Sequence, residues 1–440
     1  MLVRQLTSAI FGLLVCLPVN AELTPKSHIG IAGIDFQSQL AASYGSNDNV
    51  TYQKDAQQAP QSDYVQLAPY LQAIGVRGED RYLLAYSGEY RQYADSPADD
   101  YARHFLQFEG AWRFGQKHGL TWNISQTYDQ EERGDELTQG FSESQFEQYG
   151  FSQHGLRNSM FDTSLRYSYG ALQGRGKLEV MLQSKQLSFR DTDDIAKANA
   201  NFLRYVEEQQ WREDSLVVDL FDQVSSHSRF RYSFITNQRH YEENERKNSN
   251  EYYLLFGVKT ELTGKTTLEA ETALLQKSFP SNGEAETFRG VNWDVEANWR
   301  PVKHSTFTLY TWQRVKDPSE EGGRDPSEEG GYILNSHYGV AWQHQWWVKR
   351  LSSRIEYGYE AEDYRMANND RRDETQIVKV SLGYDFRPSV RLEMNYQWNG
   401  MDTNEAVDRF NIGGNGSSEW VERQLGYDQS FIELQLKLQI

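Results

Sequence analysis

The sequence has 440 residues, of which 38% are hydrophobic and 25% charged, yet 13% are aromatic. A chain this polar would be a candidate for disorder, but disordered segments are poor in aromatic residues. The 45 Lys and Arg residues against 63 Asp and Glu residues give a net charge of −18, which argues against nucleic acid as a partner. No run approaches the roughly 20 apolar residues of a membrane-spanning helix.

The first 21 residues have the pattern of a secretory signal peptide. Arg4 precedes a short apolar stretch at 10–15, and Ala21 ends a small-residue cleavage site. Cys16, the one cysteine of the sequence, lies inside this segment, so the mature chain is predicted to contain no disulfide. We therefore expect a signal peptide at 1–21, a short periplasmic segment at 22–33 and a single folded domain at 34–440.

From residue 34 onward, apolar residues alternate with polar ones along the chain. The C-terminal run is the clearest, because every second residue from Ile432 to Ile440 is apolar. This period of two is typical of strands with one apolar and one polar face. Marking each such run predicts eighteen strands, at 34–45, 63–75, 81–91, 101–114, 120–130, 155–169, 175–190, 199–224, 229–241, 249–261, 266–278, 287–300, 305–314, 332–347, 352–365, 374–386, 390–399 and 427–440.

Short turns alternate with long polar loops between these strands. An even strand number with this alternation is the pattern of an outer-membrane barrel, whose closure also leaves no unpaired sheet edge in lipid. We predict an all-β fold, a transmembrane antiparallel β-barrel of about 18 strands with short periplasmic turns and long extracellular loops. A soluble β-sandwich or propeller is the alternative, but it would not explain charges on the polar face of nearly every strand.

The polar faces carry charges of both signs. So many charges cannot be buried in a dry interior, so these faces are predicted to line a water-filled lumen. Mixed signs argue against a pore specific for phosphate or another strongly charged ion. The lumen-lining candidates are Glu109, Arg113, Arg166, Asp219, Arg231, Glu271, Asp294, Glu296, Arg354, Glu356, Lys379, Arg391 and Glu393.

One long loop, 315–331, contains the direct repeat Asp-Pro-Ser-Glu-Glu-Gly-Gly, which begins at 317 and again at 325. Carboxylates in a flexible loop suit Ca²⁺ or Mg²⁺, so the weak metal candidates are Asp317, Glu320, Asp325 and Glu328. The spacing does not match an EF-hand, and a tandem duplication in a solvated loop is the favoured interpretation. We find no catalytic motif, and we expect no catalytic residues, no enzymatic activity and no cofactor.

Short motifs in the first third of the chain resemble a known family. They are Tyr44 with Asn-Asp-Asn-Val at 47–50, Tyr-Ser-Gly-Glu-Tyr-Arg-Gln-Tyr at 86–93, Arg-His at 103–104 and Glu-Glu-Arg-Gly at 131–134. They are similar to the start of a family of outer-membrane β-barrel porins that accompanies exopolysaccharide gene clusters. The resemblance implies a channel of the outer membrane that completes polysaccharide export beside a periplasmic export protein. The chain departs from the usual barrel pattern by ending in Ile440 rather than an aromatic residue.

Three functions follow as hypotheses. The leading one is an export channel for a secreted polysaccharide. Four aromatic residues are predicted to face the lumen, namely Phe105, Phe221, Tyr253 and Phe431. They could stack on sugar rings, or they could instead pack against an inward-folded loop. The second is an uptake porin for oligosaccharides or small solutes, and the third is a barrel-type hydrolase. Outer-membrane lipid and lipopolysaccharide are expected partners in each case. Because an open lumen of this width would leak, we also predict that loop 131–154 or loop 400–426 folds inward.

Overall fold

The fold is a closed antiparallel β-barrel. The computed structural model describes residues 29–31, 33–55, 59–171, 174–283, 285, 287–316, 331–346, 350–365, 371–413 and 418–439. Eighteen strands form the wall, and the last of them pairs with both the penultimate and the first, which closes the barrel. The short strand β1 (Ile29–Ile31) adds to the edge of the first wall strand. The predicted fold class is confirmed.

The wall strands are 12 to 16 residues long, enough to cross the hydrocarbon layer at the tilt that barrels have. They are β2 (Ile34–Asn47), β3 (Ser62–Arg77), β4 (Asp80–Tyr93), β5 (Tyr101–Phe114), β6 (His118–Gln130), β7 (Arg157–Tyr169), β8 (Gly176–Arg190), β9 (Trp211–Gln223), β10 (Ser228–Tyr241), β11 (Ser249–Thr263), β12 (Thr266–Ser278), β13 (Phe288–Val302), β14 (Ser305–Lys316), β15 (Tyr332–Trp346), β16 (Leu351–Arg365), β17 (Arg372–Arg387), β18 (Val390–Thr403) and β21 (Tyr427–Gln439).

The outer face of the wall is a belt of exposed apolar side chains. Leucines occupy the middle of many strands, as at Leu84, Leu182 and Leu434. Exposed aromatic residues ring both ends of this belt, with Tyr44, Tyr90, Phe161 and Tyr252 near the long loops and Phe114, Tyr169, Trp299, Trp346 and Phe386 near the short turns. An apolar band between two aromatic girdles is the surface that a barrel presents to a bilayer.

One predicted strand, 199–224, is wrong in its first half. Residues Ala200–Glu207 form helix α3, and the strand begins only at Trp211. The Asn199 side chain caps the helix by accepting a hydrogen bond from the Phe202 amide at 2.9 Å. The apolar residues of this segment recur at the three- and four-residue spacing of a helix, and they are buried on one side of it.

The long loops are also more ordered than the sequence predicted. They contain helix α1 (Glu143–Tyr149), helix α2 (Asp193–Ala198) and a hairpin of β19 (Val407–Asn411) with β20 (Trp420–Gln424). None of the helices in the described part of the chain has the length and apolar character needed to traverse a bilayer.

Three of the long loops pack together at one end of the barrel. We call them the cap, defined as the described residues of 131–156, 191–210 and 404–426. They share one hydrophobic core, which consists of Leu137, Phe141, Phe146, Tyr149, Phe151, Leu156, Ile195, Phe202, Tyr205, Val206, Phe410, Ile412 and Val421. None of these core residues belongs to a wall strand, so the three loops share a hydrophobic core of their own.

Candidate functional site: the lumen and its cap

The charged candidates of the wall all lie on the face opposite the apolar belt. Glu109, for example, is paired in register with Leu83 and Asn123, while its neighbour Phe108 lies on the outer face. Because side chains alternate strictly along a strand, the same registers place every member of the set inside the barrel. The proposed role of these residues in lining a channel rests on this placement.

Many of the inner charges are paired with a neighbour of opposite sign. Arg231 on β10 lies 3.0 Å from Asp219 on β9 and 3.1 Å from Glu271 on β12, so its contacts reach across β11. Arg391 similarly lies 2.8 Å from Glu393 and 3.1 Å from Asp385. Pairing of this kind offsets the cost of holding charges in a confined space.

Other members of the set bond to different kinds of partner. Arg354 donates to Glu356 at 2.9 Å, and Glu356 also accepts from the Tyr310 hydroxyl at 2.9 Å. Arg166 approaches Glu179 at 3.9 Å, and Arg113 donates to the turn carbonyl of Gln116 at 2.9 Å. Asp294 lies 3.3 Å from Arg314, while Glu296 accepts from Asn298 at 2.8 Å and Lys379 pairs in register with Glu356.

The four aromatic candidates also face inward, but two of them are already occupied. The guanidinium groups of Arg229 and Arg231 lie 5.2 and 6.0 Å from the centre of the Phe221 ring. Tyr253 packs against an inner cluster of Met181, Val217 and Ile235, and its hydroxyl donates to Glu251 at 2.7 Å. Sugar stacking on these two rings would require rearrangement. Phe105 and Phe431 are half-buried on the inner wall.

The first part of the cap crosses the barrel mouth. We call residues 131–142 the crossing segment. Near the end of β6, where the segment begins, Arg133 forms two hydrogen bonds with Asp99 at 2.8 and 2.7 Å. At its other end, Gln139 accepts a hydrogen bond from Arg371 at 3.0 Å, although Arg371 precedes β17 on the far side of the mouth. The predicted inward fold of loop 131–154 therefore agrees with the contacts of this segment.

The third loop of the cap holds the crossing segment from above. The backbone of Gln424 donates to the carbonyl of Gly140 at 3.1 Å, and the buried Arg423 donates to the carbonyl of Gln139 at 3.3 Å. Arg423 in turn forms two hydrogen bonds with Asp408, at 2.8 and 2.6 Å. Two separate loops thus lock together over the lumen.

Below the crossing segment lies a cluster of arginine and tyrosine side chains on the inner wall. The Tyr101 ring is flanked by the guanidinium groups of Arg91 and Arg103, at 5.2 and 4.2 Å from its centre. Arg103 lies 2.6 Å from Asp129 and 3.3 Å from Glu132 of the crossing segment. The motifs at 86–93, 103–104 and 131–134, which are distant in sequence, therefore meet at one place.

The carboxylates of the crossing segment have pKa values that are shifted from their ordinary range. Glu132 accepts from the Tyr52 hydroxyl at 2.7 Å; although burial opposes it, Arg103 lowers the pKa of Glu132. Asp135 is accessible to solvent, but desolvation by the surrounding protein and the charge of the nearby Glu132 raise its pKa to about 6. Burial, followed by the charge of Asp135, raises the pKa of Glu131 well above its ordinary value. The segment therefore changes charge in a mildly acidic range.

The weak metal candidates Asp317, Glu320, Asp325 and Glu328 lie outside the described residues. Within the described ranges, no group of three or more His, Cys, Asp or Glu side chains has an arrangement that could hold a metal ion. Sequence inspection missed several buried inner pairs, among them Arg239 with Glu213 at 2.9 Å and Lys277 with Glu251 at 3.0 Å. Their positions in the alternating pattern were the available signal.

Comparisons with known proteins agree with this architecture. A family model described as "Putative beta-barrel porin 2" matches residues 229–414, which is less than half of the chain. No curated protein matches the sequence significantly.

Solved barrels resemble the fold at low identity. OpdK from Pseudomonas aeruginosa has a TM-score of 0.48 at 10% identity, with 92% of this chain and 99% of that chain covered. OccAB4 from Acinetobacter baumannii has 0.45 at 12%, covering 94% and 100%. The FrpB iron transporter (F5-1 variant) from Neisseria meningitidis has 0.47 at 8%, covering 92% and 82%. Similarities this distant say nothing about the solute.

The apolar belt, the charged interior and the match to a porin family model agree with one another. A closed wall with its apolar side outward can be accommodated only in a membrane, and antiparallel barrels with long loops at one end are the form that outer-membrane proteins take. The protein is a multi-pass β-barrel of the outer membrane, and its residues 229–414 match the model of a porin family.

Proposed function

We propose that the protein is a restricted uptake channel for small polar solutes. The observation that carries this proposal is the cap, in which the crossing segment spans the mouth and is bonded at both ends. A solute must pass around this segment, because the hydrophobic core of the cap is closely packed. The cap therefore sets an upper size for what enters the lumen.

The charges of the lumen wall favour solutes without a strong net charge. Arginines such as Arg231 and Arg391 each lie between two carboxylates, so charges of both signs meet the solute at the same depth. A dedicated anion or cation pore would favour rings of a single sign. Neutral or zwitterionic solutes, such as small sugars or amino acids, fit a wall of alternating donors and acceptors.

Export of a polysaccharide, the leading hypothesis from the sequence, is supported less well. A polymer would need a continuous wide path, whereas the crossing segment spans the mouth and is held there by Arg423, which is paired with Asp408. Two of the four aromatic side chains proposed for sugar stacking are engaged by protein groups. The description of the matched family names a porin and carries no mention of export. The hydrolase hypothesis gains no support from that match either.

Liposome swelling tests the proposal directly. The purified full-length barrel is reconstituted and challenged with neutral solutes of increasing size, from a pentose to a tetrasaccharide. We expect rapid swelling with the pentose, and slow or undetectable swelling with the tetrasaccharide. Equal rates for all solutes, or no permeation of the pentose, would overturn a size-restricted uptake channel.

Gene deletion separates uptake from export. Loss of uptake predicts slower growth on a limiting small solute with unchanged surface polymer. If deletion instead abolishes surface polymer and leaves growth on every small solute unchanged, export is the function and the uptake proposal is wrong.

A further inference from the structure

Basic residues are concentrated at the end of the barrel that carries the short turns. We call this end the collar, defined as the described residues of the eight short turns together with the two strand residues on each side of them. The chain as a whole has 45 Lys and Arg residues and 63 Asp and Glu residues, but the collar has twelve basic residues and three acidic ones. The basic residues are Arg77, Arg81, Arg113, Lys117, Arg175, Lys177, Arg229, Lys265, Lys303, Arg350, Arg387 and Arg391, and the acidic residues are Glu79, Asp80 and Asp222.

Most of the collar cations have no counter-charge beside them. Every one of the eight turns supplies at least one of these cations, so they surround the whole mouth. Three of them have carboxylate partners, namely Arg175 with Asp222, Lys177 with Glu179, and Arg391 with Asp385 and Glu393. The other nine form no ion pair with any residue in the ranges that the structure describes. An excess of positive charge therefore remains around the full circumference of this end.

The collar cations lie both inside the mouth and at its edge. Arg113 and Arg229 are on the inner faces of β5 and β10, whereas Lys117, Lys265 and Lys303 are exposed in the turns. A lipid of the inner leaflet reaches the outer side of the wall and cannot contact the inner set. A small solute in the lumen meets the inner set but not the turn lysines. A single broad anionic surface that lies across the mouth contacts both sets.

The width of the collar matches a folded domain. Eighteen strands that are about 4.8 Å apart and tilted as in other barrels close a ring roughly 35 Å across. A small protein domain has a diameter of about 30 Å, so one domain placed end-on reaches cations on most of the turns. A single glycan strand would cross the ring and touch only a few of them. Charge and width together favour an acidic protein over an acidic polysaccharide.

We propose that the collar is a docking surface for an acidic protein of the periplasm, which lies end-on across the exit of the lumen. Short turns face the periplasm in barrels of this kind. Complementary charges speed the encounter of two proteins, and contacts between exposed charges are weakened by salt. The docked protein therefore binds reversibly, at the place where a solute leaves the lumen.

Binding of poly-L-glutamate, as a probe for an acidic polypeptide surface, tests the proposal. The full-length barrel is placed in nanodiscs of phosphatidylcholine, and the fluorescence anisotropy of the labelled probe is measured at increasing salt. We expect saturable binding that weakens as salt is added. The triple variant Lys117→Glu/Lys265→Glu/Lys303→Glu replaces attraction by repulsion at three separate turns and should bind the probe about tenfold more weakly.

A matched control makes the same change of charge at the other end of the barrel. Lys54→Glu/Lys197→Glu/Arg212→Glu alters three exposed residues at the long loops and should bind poly-L-glutamate like the unaltered protein. The β-sheet circular dichroism spectrum of each variant verifies that the barrel has folded. In planar bilayers, the probe should lower the conductance of the unaltered channel when it is added on the side of the short turns, and should have no effect from the side of the long loops.

Several results would overturn the proposal. Equal binding of poly-L-glutamate by the unaltered protein and the collar variant, or no binding by either, would mean that the collar is not a docking surface. Tighter binding of hyaluronate than of poly-L-glutamate would identify an acidic polysaccharide as the occupant. Loss of poly-L-glutamate binding when phosphatidylglycerol is added to the nanodiscs would mean that the cations bind lipid headgroups instead.

Discussion

The α-carbon of Gly134 lies against the carbonyl oxygen of Thr51, so that a β-carbon at position 134 would be only 1.8 Å from that oxygen. Gly134 also has a φ of 88°, in the left-handed region that favours glycine. This contact joins the crossing segment to the loop after β2. It explains why the motif at 131–134 ends in glycine.

Gly134→Ala should therefore loosen the crossing segment. The added methyl group meets backbone that cannot rotate away, and the strained φ costs about 1–3 kcal/mol in addition. We expect faster amide hydrogen exchange in 131–142 and a higher single-channel conductance, with the barrel itself still folded.

The matched control for this change is Gly283→Ala, also in a long loop, where a β-carbon meets no atom within 4 Å. It should leave exchange and conductance unchanged. Normal conductance and exchange in Gly134→Ala would mean that the crossing segment does not depend on the contact with Thr51.

Arg103→Met should destabilise the protein more than a typical lumen substitution. It would leave Asp129 buried without its ion pair and would remove a contact to Glu132. Breaking a buried pair by removing one partner costs about 3–5 kcal/mol. The free energy of unfolding in urea, measured in lipid vesicles, is the appropriate quantity.

The control for the arginine is Lys259→Met, because Lys259 and its partner Glu269 are each 52% exposed. Exposed pairs contribute about 0–1 kcal/mol, so this variant should be nearly neutral. Equal losses for Arg103→Met and Lys259→Met would show that the arginine–tyrosine cluster has no special part in stability.

The strands of the wall could be predicted from sequence because the alternation of apolar and polar residues is a local pattern. The alternation from Ile432 to Ile440 is enough to assign inner and outer faces, and a short turn brings Asp219 and Arg231 together on neighbouring strands. A pair such as Tyr310 with Glu356 joins strands that are not adjacent in the wall, so knowing each strand's faces does not predict it.

The cap could not be predicted because its contacts join residues that are far apart in the sequence. Gln139 and Arg371 meet although they are 232 residues apart, and nothing in either segment indicates the other. Helix α3 shows the second difficulty. The burial of Phe202 and Val206 depends on loops from elsewhere in the chain, so the local sequence does not separate this helix from the strand that follows it.

Leu434→Lys tests which face of the last strand meets lipid. Leu434 is near the middle of β21 and 50% exposed on the outer face, so a lysine there should cost about 2–4 kcal/mol. Gln435 lies on the inner face and donates to Ser43 at 3.0 Å. Gln435→Lys should be nearly neutral, because Glu393 is its cross-strand neighbour. Equal unfolding free energies for the two lysine variants would mean that the strand register is wrong.

Cysteine labelling tests the orientation of the barrel. The single native cysteine, Cys16, lies in the predicted signal peptide, so introduced thiols can be labelled selectively. Glu243→Cys lies in an exposed long loop and should react with a membrane-impermeant maleimide on intact cells, whereas Lys117→Cys in a short turn should not. The reverse pattern would invert the topology.

The protonation of Asp135 makes the crossing segment sensitive to pH. Its folded pKa of about 6 is raised above the ordinary value of 3.8, so folding of the segment favours the protonated acid. This stabilising contribution is fully present below about pH 4 and is lost as the pH rises through 6. Glu131 has a raised pKa and acts in the same direction. Glu132, Arg103 and Lys316 also act on the pKa of Asp135, the two basic groups opposing the rise.

Channel recordings at pH 5 and pH 7.5 in the same salt should therefore differ. At pH 5 the protonated segment is held more firmly across the mouth, and we expect a lower mean conductance with fewer transient openings. At pH 7.5 repulsion between Asp135 and Glu132 loosens the segment and the conductance rises. The double variant Glu131→Gln/Asp135→Asn mimics the protonated state, so its conductance should stay at the low value at both pH values. A pH response in this variant as large as that of the unaltered protein would place the titrating group elsewhere in the lumen.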